Sequence, residues 1–308
     1  MKVHKGYEGL SIVHPVVTLG IFDGVHTGHR ALLSLVRQRA AENMGQSVVV
    51  TFDPHPRQVL KTGALDMSLL TTMEEKVEHL DASGIDHLVI LDFSREFSNM
   101  EACDFVSEIL MNRIGTKHLI MGYDHRFGRR GEGDIEKIRR CQGTSGLTIE
   151  QAEPVLYNGE PVSSTLIRSY LLDGKPEIAA ELLGYEYSLS GIVIEGKKIG
   201  RSFGFPTANI KPQNNKLVPS EGVYAVWVKA GDTNYMGMLS IGSNPTVNKD
   251  SRTRSIEVHI LDFEGDIYGS NITLKFVRKL RNERKFASLQ QLSMQMEVDR
   301  QETIRLLK

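Results

Sequence analysis

Apolar runs and helical spacings alternate along the chain up to about residue 140. Residues 16–22, 47–52, 87–93 and 117–121 are β-rich and apolar at consecutive positions, the pattern of strands buried on both faces. Between them, residues 30–44, 73–82 and 103–113 repeat apolar side chains at helical spacing. Gly45, Gly84 and Gly115 follow as stop signals. That order predicts βαβ units and a parallel sheet. Two further helices are predicted over 164–172, closed by Asp173 and Gly174, and over 176–183, closed by Gly184.

After Tyr187 the period changes. Segments 189–194, 223–229, 235–241, 255–263 and 271–277 read as strands, separated by Gly, Asn and Asp turn signals. They predict antiparallel strands closing into a small barrel or sandwich. Leu289, Leu292, Met296 and Leu306 then form part of the apolar stripe of a terminal helix packed on a core. A chain of 308 residues agrees with two domains, placed at 1–186 and 187–308.

Charge changes the picture only by exclusion. Lys plus Arg is 37 against 38 for Asp plus Glu, so no general field draws nucleic acid or an anionic membrane, and any anionic ligand must be held locally. The two cysteines, Cys103 and Cys141, are far apart and outside any Cys-x-x-Cys spacing. That argues against a disulfide framework and a thiolate zinc site, and fits a reducing cytoplasm. The N-terminal stretch lacks the apolar region of a signal peptide, and no window has the length of a membrane span. No feature of the sequence sets an oligomeric state.

The first chemical signal lies where the first apolar run gives way to a helix, at Gly20-Ile-Phe-Asp-Gly-Val-His-Thr-Gly-His29. His26 in the loop and His29 at the helix start can face one ligand. Unpaired N–H groups and the helix dipole there favour an anion. Gly24 and Gly28 allow the close approach a phosphate loop needs. One or both histidines could instead merely cap or pack. The segment resembles the His-x-Gly-His signature of nucleotidyltransferases, and in full the FAD synthetase branch of that superfamily. The resemblance implies a Rossmann-like domain that brings the phosphate of FMN to the α-phosphorus of ATP and expels pyrophosphate. His26 and His29, with magnesium, would stabilise the charge, while Gly20, Phe22, Asp23 and Gly28 would contact ATP.

Three segments extend this. Thr51-Phe-Asp-Pro-His-Pro56 follows the second predicted strand, at the strand end where α/β sheets bind ligands. Val162-Ser-Ser-Thr-Leu-Ile-Arg168 places small hydroxyl residues at a helix start, where they cap it and offer donors to phosphate. It resembles the family's Ser-Ser-Thr-x-Ile-Arg motif, which assigns ATP contacts to Ser164, Thr165 and Arg168. In Gly122-Tyr-Asp-His-Arg-Phe-Gly-Arg-Arg-Gly131, Asp124, Phe127 and Gly128 match a family loop that contacts nucleotide and flavin. The family's aromatic is replaced at His125 and its later arginine at Gly131, with Arg129 or Arg130 as substitute. By the same resemblance Asp53, Asp124 and Phe127 would bind flavin.

The second half has its own cluster. Glycines alternate with Lys197, Lys198 and Arg201 ahead of Gly204-Phe-Pro-Thr-Ala-Asn209, a flexible, cationic loop suited to phosphates or a plain basic hairpin tip. Thr207 and Asn209, two apart on an extended chain, point to one side and can complete a magnesium shell. In 255–263, Ile256, Val258 and Ile260 share one face and leave Glu257 and His259 on the other. A carboxylate so placed can accept the proton of an attacking primary hydroxyl. Gly-Phe-Pro-Thr-Ala-Asn closely resembles the riboflavin kinase motif, which implies a small antiparallel β-barrel. It assigns Glu257 as base, Thr207 and Asn209 to the metal, and Gly196, Lys198, Gly200, Arg201, Gly204 and Pro206 to ATP. Arg278, Arg281 and Arg284 could hold phosphate or lie on a solvated surface. No P-loop sequence occurs.

The two resemblances cover nearly the whole chain in the order of bacterial bifunctional riboflavin kinase/FAD synthetases. They imply ATP, riboflavin and FMN as substrates, magnesium for both steps, and no nucleic-acid or membrane partner. The rivals are an FAD synthetase with an inactive kinase-like domain and a non-catalytic flavin sensor.

Overall fold

The computed structural model describes residues 1–60, 68–141, 146–196, 204–243 and 254–308, and the chain forms two compact units, Met1–Ser164 and Thr165–Lys308. The first is built on strands β1 (Lys2–Lys5), β2 (Val16–Leu19), β3 (Ser47–Asp53), β4 (His87–Asp92), β5 (His118–Met121) and β6 (Thr148–Gln151). They form one sheet in the order β1-β4-β3-β2-β5-β6, and every pairing is parallel. Helices α1 (Thr27–Glu42) and α3 (Met73–Ala82) lie on predicted segments, with a short α2 (Pro56–Leu60) between. The predicted helix at 103–113 begins as α4 (Ala102–Asp104) and continues as a π-helix, Phe105–Arg113. α5 (Ile135–Cys141) precedes β6, and a small hairpin, β7 (Leu156–Tyr157) and β8 (Glu160–Pro161), follows it.

The apolar runs form strands because both faces are covered. Val17, Leu19, Val48 and Val50 pack against Phe105, Val106 and Leu110 on one side. Val16, Val49 and Leu88 pack against Leu33 and Val36 of α1 and Leu80 of α3 on the other. From β2 the chain builds outward through β3 and β4, then returns to place β5 on the opposite flank. That reversal opens a crevice at the C-terminal ends of β2 and β5, where doubly wound sheets bind ligands. The loops after β2, β3 and β5 all leave from this edge.

One expectation is corrected. Cys103 and Cys141, whose spacing argued against a disulfide framework, form a disulfide with Cα atoms 5.3 Å apart. α5 packs beside α4, with Ile138 and Ala102 in one core cluster, and closes a sequence separation of 38 that no local spacing reveals.

The second unit starts in α6 (Ser164–Leu172) and continues through α7 (Pro176–Leu183). Strands β9 (Ser188–Ile194), β10 (Ala208–Pro212), β11 (Gly222–Ala230), β12 (Thr233–Ser243), β13 (Arg254–Ile260) and β14 (Asn271–Arg281) then close into an antiparallel barrel, in the order β10-β13-β12-β11-β14-β9. A barrel, not a sandwich, is therefore what the strand-rich half forms. Tyr224, Val226, Leu239, Val258, Leu274 and Phe276 are fully buried in it. The terminal helix α8 (Leu289–Leu307) brings Met296 and Ile304 against Phe205, Met236, Met238 and Leu261.

Candidate active sites

The loop leaving β2 is held in a demanding shape. Phe22 and Val25 both have positive φ, 51° and 34°, a strain side chains tolerate only where surroundings enforce it. The enforcing group is Asp23, buried at 3% exposure. Its carboxylate accepts from the Leu70 and Thr71 N–H groups, each at 3.0 Å, and from the Thr71 hydroxyl at 3.3 Å. The Ser164 hydroxyl donates to the Asp23 carbonyl at 2.8 Å. Gly24 N–H donates to the Thr71 hydroxyl at 3.0 Å. The clamp thus ties two distant segments, one carrying Leu70 and Thr71 and the other Ser164, to one loop, a task for Asp23 and Ser164 beyond the ATP contacts expected of them.

His26 is the N-cap of α1: its Nδ1 accepts from the His29 N–H at 3.3 Å, so the neutral ring carries its proton on Nε2. The two imidazoles stack with centroids 3.6 Å apart, and Phe22 lies 5.0 Å from His29. A Cβ on Gly28 would press on the His26 ring, which explains the glycine between them. Burial holds the His29 pKa well below 6.5, and His26, Lys76 and His125 add to the shift. Two stacked rings therefore need not both be charged. His29 Nδ1 is buried without a hydrogen-bond partner among the described residues.

The other first-unit candidates have distinct settings. Gly20 follows β2 and lies against the Phe22 ring. Asp53 is exposed at the end of β3 and joined to Pro54 by a cis bond. Asp124 is exposed, whereas the Phe127 ring is buried against Phe105 at 5.5 Å and His125 at 5.9 Å. His125 keeps a part-exposed face, yet its surroundings lower its pKa to about 4, as expected in a crevice. Of its two basic neighbours, Arg129 is paired with Glu101 at 2.7 Å, while Arg130 is exposed. Thr165, exposed, and Arg168, half-buried, lie on the first turns of α6. Sequence reading missed Lys76, only 5% exposed on α3, because a lysine in a helical pattern reads as solvated.

The barrel gathers its own set. β10 pairs with β13 so that Asn209 lies opposite Glu257, and β12 pairs with β13 so that Ser240 lies opposite Glu257. Ile256 and Val258 are buried, and Glu257 is half-buried on the other face, as the alternation predicts. The Thr207 hydroxyl donates to the Glu257 carboxylate at 3.4 Å. His259 shares that face but is buried beneath Phe205, ring centroids 5.2 Å apart. Its Nδ1 donates to the Pro206 carbonyl at 2.8 Å, pinning the chain just before Thr207. A Cβ on Gly196 would overlap the Asn209 amide, so a larger residue there would displace that side chain. Gly204 has φ +86°. Lys198, Gly200 and Arg201 lie outside the described residues. Glu283, unremarked in the sequence, accepts the Ser240 hydroxyl at 2.5 Å. Arg281 forks onto buried Asp299 at 2.8 Å and Arg284 lies over Phe286, so Arg281 is committed to the fold.

Thr207 and Asn209 beside Glu257 form an oxygen donor set suited to a hard divalent cation. The first unit offers imidazole donors at a helix start, suited to phosphate. A switch-point crevice with paired histidines and a barrel wall carrying a carboxylate define a two-domain enzyme of phosphate-group transfer. The FAD synthetase family model matches residues 12–166 and the riboflavin kinase model residues 183–307. Relatives described as bifunctional riboflavin kinase/FMN adenylyltransferase match over most of both chains. That of Listeria monocytogenes is 38% identical over 94% of this chain and 92% of its own, and that of Escherichia coli 36% over 97% and 96%. A Streptococcus pneumoniae crystal structure described as a macrolide-efflux protein superposes with TM-score 0.89 at 29% identity, covering 98% of this chain and 99% of that one. The chain belongs to the bifunctional riboflavin kinase/FMN adenylyltransferase family. No helix among the described residues is long and apolar enough to cross a membrane.

Proposed function

We propose that this chain phosphorylates riboflavin with ATP to give FMN, then transfers AMP from a second ATP to FMN to give FAD and pyrophosphate. The observation that carries the reading is that each unit presents a separate donor cluster within the segment matched by the corresponding family model. We assign the adenylyltransferase to 1–186 and the kinase to 187–308.

In the kinase, Glu257 accepts the proton of the riboflavin primary hydroxyl as its oxygen bonds to the γ-phosphorus and ADP leaves. Thr207 and Asn209 hold magnesium, which neutralises triphosphate charge when bound, and His259 fixes the Pro206 carbonyl so that Thr207 faces Glu257. The riboflavin kinase resemblance assigns Gly196, Lys198, Gly200, Arg201, Gly204 and Pro206 to ATP. In the adenylyltransferase, an FMN phosphate oxygen bonds to the α-phosphorus and the α–β bond breaks. His26 and His29 donate hydrogen bonds to the charge that develops. Gly28 lets them approach, and Ser164, Thr165 and Arg168 hold the leaving phosphates, while Asp53, Asp124 and Phe127 place the flavin. The enzyme works in the cytoplasm on small molecules.

The test is chromatographic. Purified protein with riboflavin, ATP and magnesium is expected to accumulate FMN and then FAD; with FMN and ATP it is expected to yield FAD and pyrophosphate in equal amounts. FAD made only from supplied FMN would reduce the chain to an FAD synthetase, and retained flavin affinity without products would leave a sensor.

A further inference from the structure

Transfer of AMP to FMN brings two polyanions into one crevice, yet the histidines there supply little positive charge. His29 and His125 are both held neutral at pH 7, and His26 uses Nδ1 as a helix cap. Asp23 and Asp53 add negative charge nearby. The expected set within the first unit lacks a buried cation, since Arg129 is exposed and paired with Glu101 and Arg130 is exposed.

Lys76 fits that vacancy in chemistry. Its side chain is 5% exposed, and its charge acts on His29, Asp23 and Asp53. Its ammonium makes no hydrogen bond or ion pair among the described residues; only its backbone N–H is engaged, to the Thr72 carbonyl at 3.0 Å. The turn that carries it is rigid. Thr72 and Glu75 form a capping box, and the residues just before are clamped by Asp23 to the histidine loop. A buried cation whose desolvation is only partly offset by Asp23 and Asp53 costs stability and brings no packing that an apolar side chain would not. Independently, the buried Nδ1 of His29 is also without a partner. The Lys76 charge thus acts on a histidine whose buried Nδ1 is unpartnered among the described residues.

We propose that Lys76 binds phosphoryl oxygens of the ATP triphosphate beside His29 and holds the pyrophosphate as it leaves. This deepens, and rests on, the adenylyltransferase reading above. Lysine suits the task as a compact charge that follows a leaving group; burial lowers its pKa, and Asp23 and Asp53 offset part of that shift.

The test is Lys76→Met in the full chain, with Lys76→Arg alongside. FAD formation from FMN is expected to lose ~10- to 100-fold in kcat/KM for ATP, the size of a lost charge-assisted hydrogen bond. Lys76→Arg is expected to retain more activity than Lys76→Met. Inorganic pyrophosphate with magnesium is expected to raise the melting temperature of wild type but not of Lys76→Met, a readout independent of turnover. Without ligand, Lys76→Met is expected to melt no lower than wild type, since an apolar side chain replaces an unpaired buried charge. An unchanged kcat/KM, a defect confined to the KM for FMN, or a lower melting temperature without ligand each overturns the assignment. If wild type makes no FAD, the adenylyltransferase reading fails instead, and the pyrophosphate shift still decides whether Lys76 binds phosphate.

Discussion

Replacing Gly28 by Ala sets two local effects against each other and leaves catalysis to report the difference. Gly28 lies in the first turn of α1, where alanine favours the helix by up to about 1 kcal/mol. The added methyl, however, would meet His26 Nδ1 at 3.2 Å, His26 Cε1 at 3.3 Å and the Val162 carbonyl oxygen at 3.5 Å. The ring must give by a few tenths of an ångström, but it is stacked on His29 at 3.6 Å and holds the His29 N–H at 3.3 Å. Displacement weakens that cap, worth about 1 kcal/mol, so the two stability effects nearly cancel. Catalysis has no such compensation. If a catalytic group misplaced by about 1 Å costs about a hundredfold, a few tenths costs roughly three- to tenfold. The assay measures FAD and pyrophosphate from FMN and ATP, with FMN formation from riboflavin as the folding control and a thermal melt beside both. Full FAD activity in Gly28→Ala would refute the argument, as would a fall of several degrees in melting temperature.

Glu257→Gln keeps the side-chain shape but removes the proposed base, so FMN formation is expected to fall by two or more orders of magnitude while FAD formation from supplied FMN persists; loss of both in a folded protein contradicts separate sites. His125, with its folded pKa lowered from 6.5 to about 4, binds its proton more weakly in the folded state. The unfolded chain therefore gains protons first as pH falls, and stability present above pH 6.5 is lost toward pH 4, by on the order of 2 kcal/mol for this part-exposed ring. Melting curves from pH 7.5 to 4.5 are expected to show it, with a shallower slope in His125→Phe; equal slopes refute the assignment. Cys103→Ser removes a cross-link between positions separated by 38 in sequence and is expected to cost about 3–4 kcal/mol, with excess thiol reductant lowering the wild-type melting temperature and leaving the variant unchanged.

Local pattern carried much of this fold. Val48, Val49 and Val50 are apolar on both faces because helices cover both, and such a run announces a central parallel strand. Lys2–Lys5 is a strand only because β4 offers an edge, so nothing in its own residues marks it. Ala208–Pro212 likewise gains its hydrogen bonds from β9 and β13, far along the chain. The same division holds at the candidate sites. Spacing and alternation single out His26, His29, Thr207, Asn209 and Glu257 as candidates. The Asp23 clamp, the His259 bond to Pro206, the Cys103–Cys141 link and buried Lys76 arise from long-range packing, which no local period encodes.

The barrel gives its two walls separate duties. Val258 fills the interior while Glu257, one residue away, stands on the outer face opposite Asn209 and Ser240. Substitutions can therefore accumulate on the outward, alternate positions of β10, β12 and β13 without reopening the problem of how the barrel fills its inside. A directed-evolution library confined to those outward positions should retain far more folded members than one of equal size drawn from their inward neighbours.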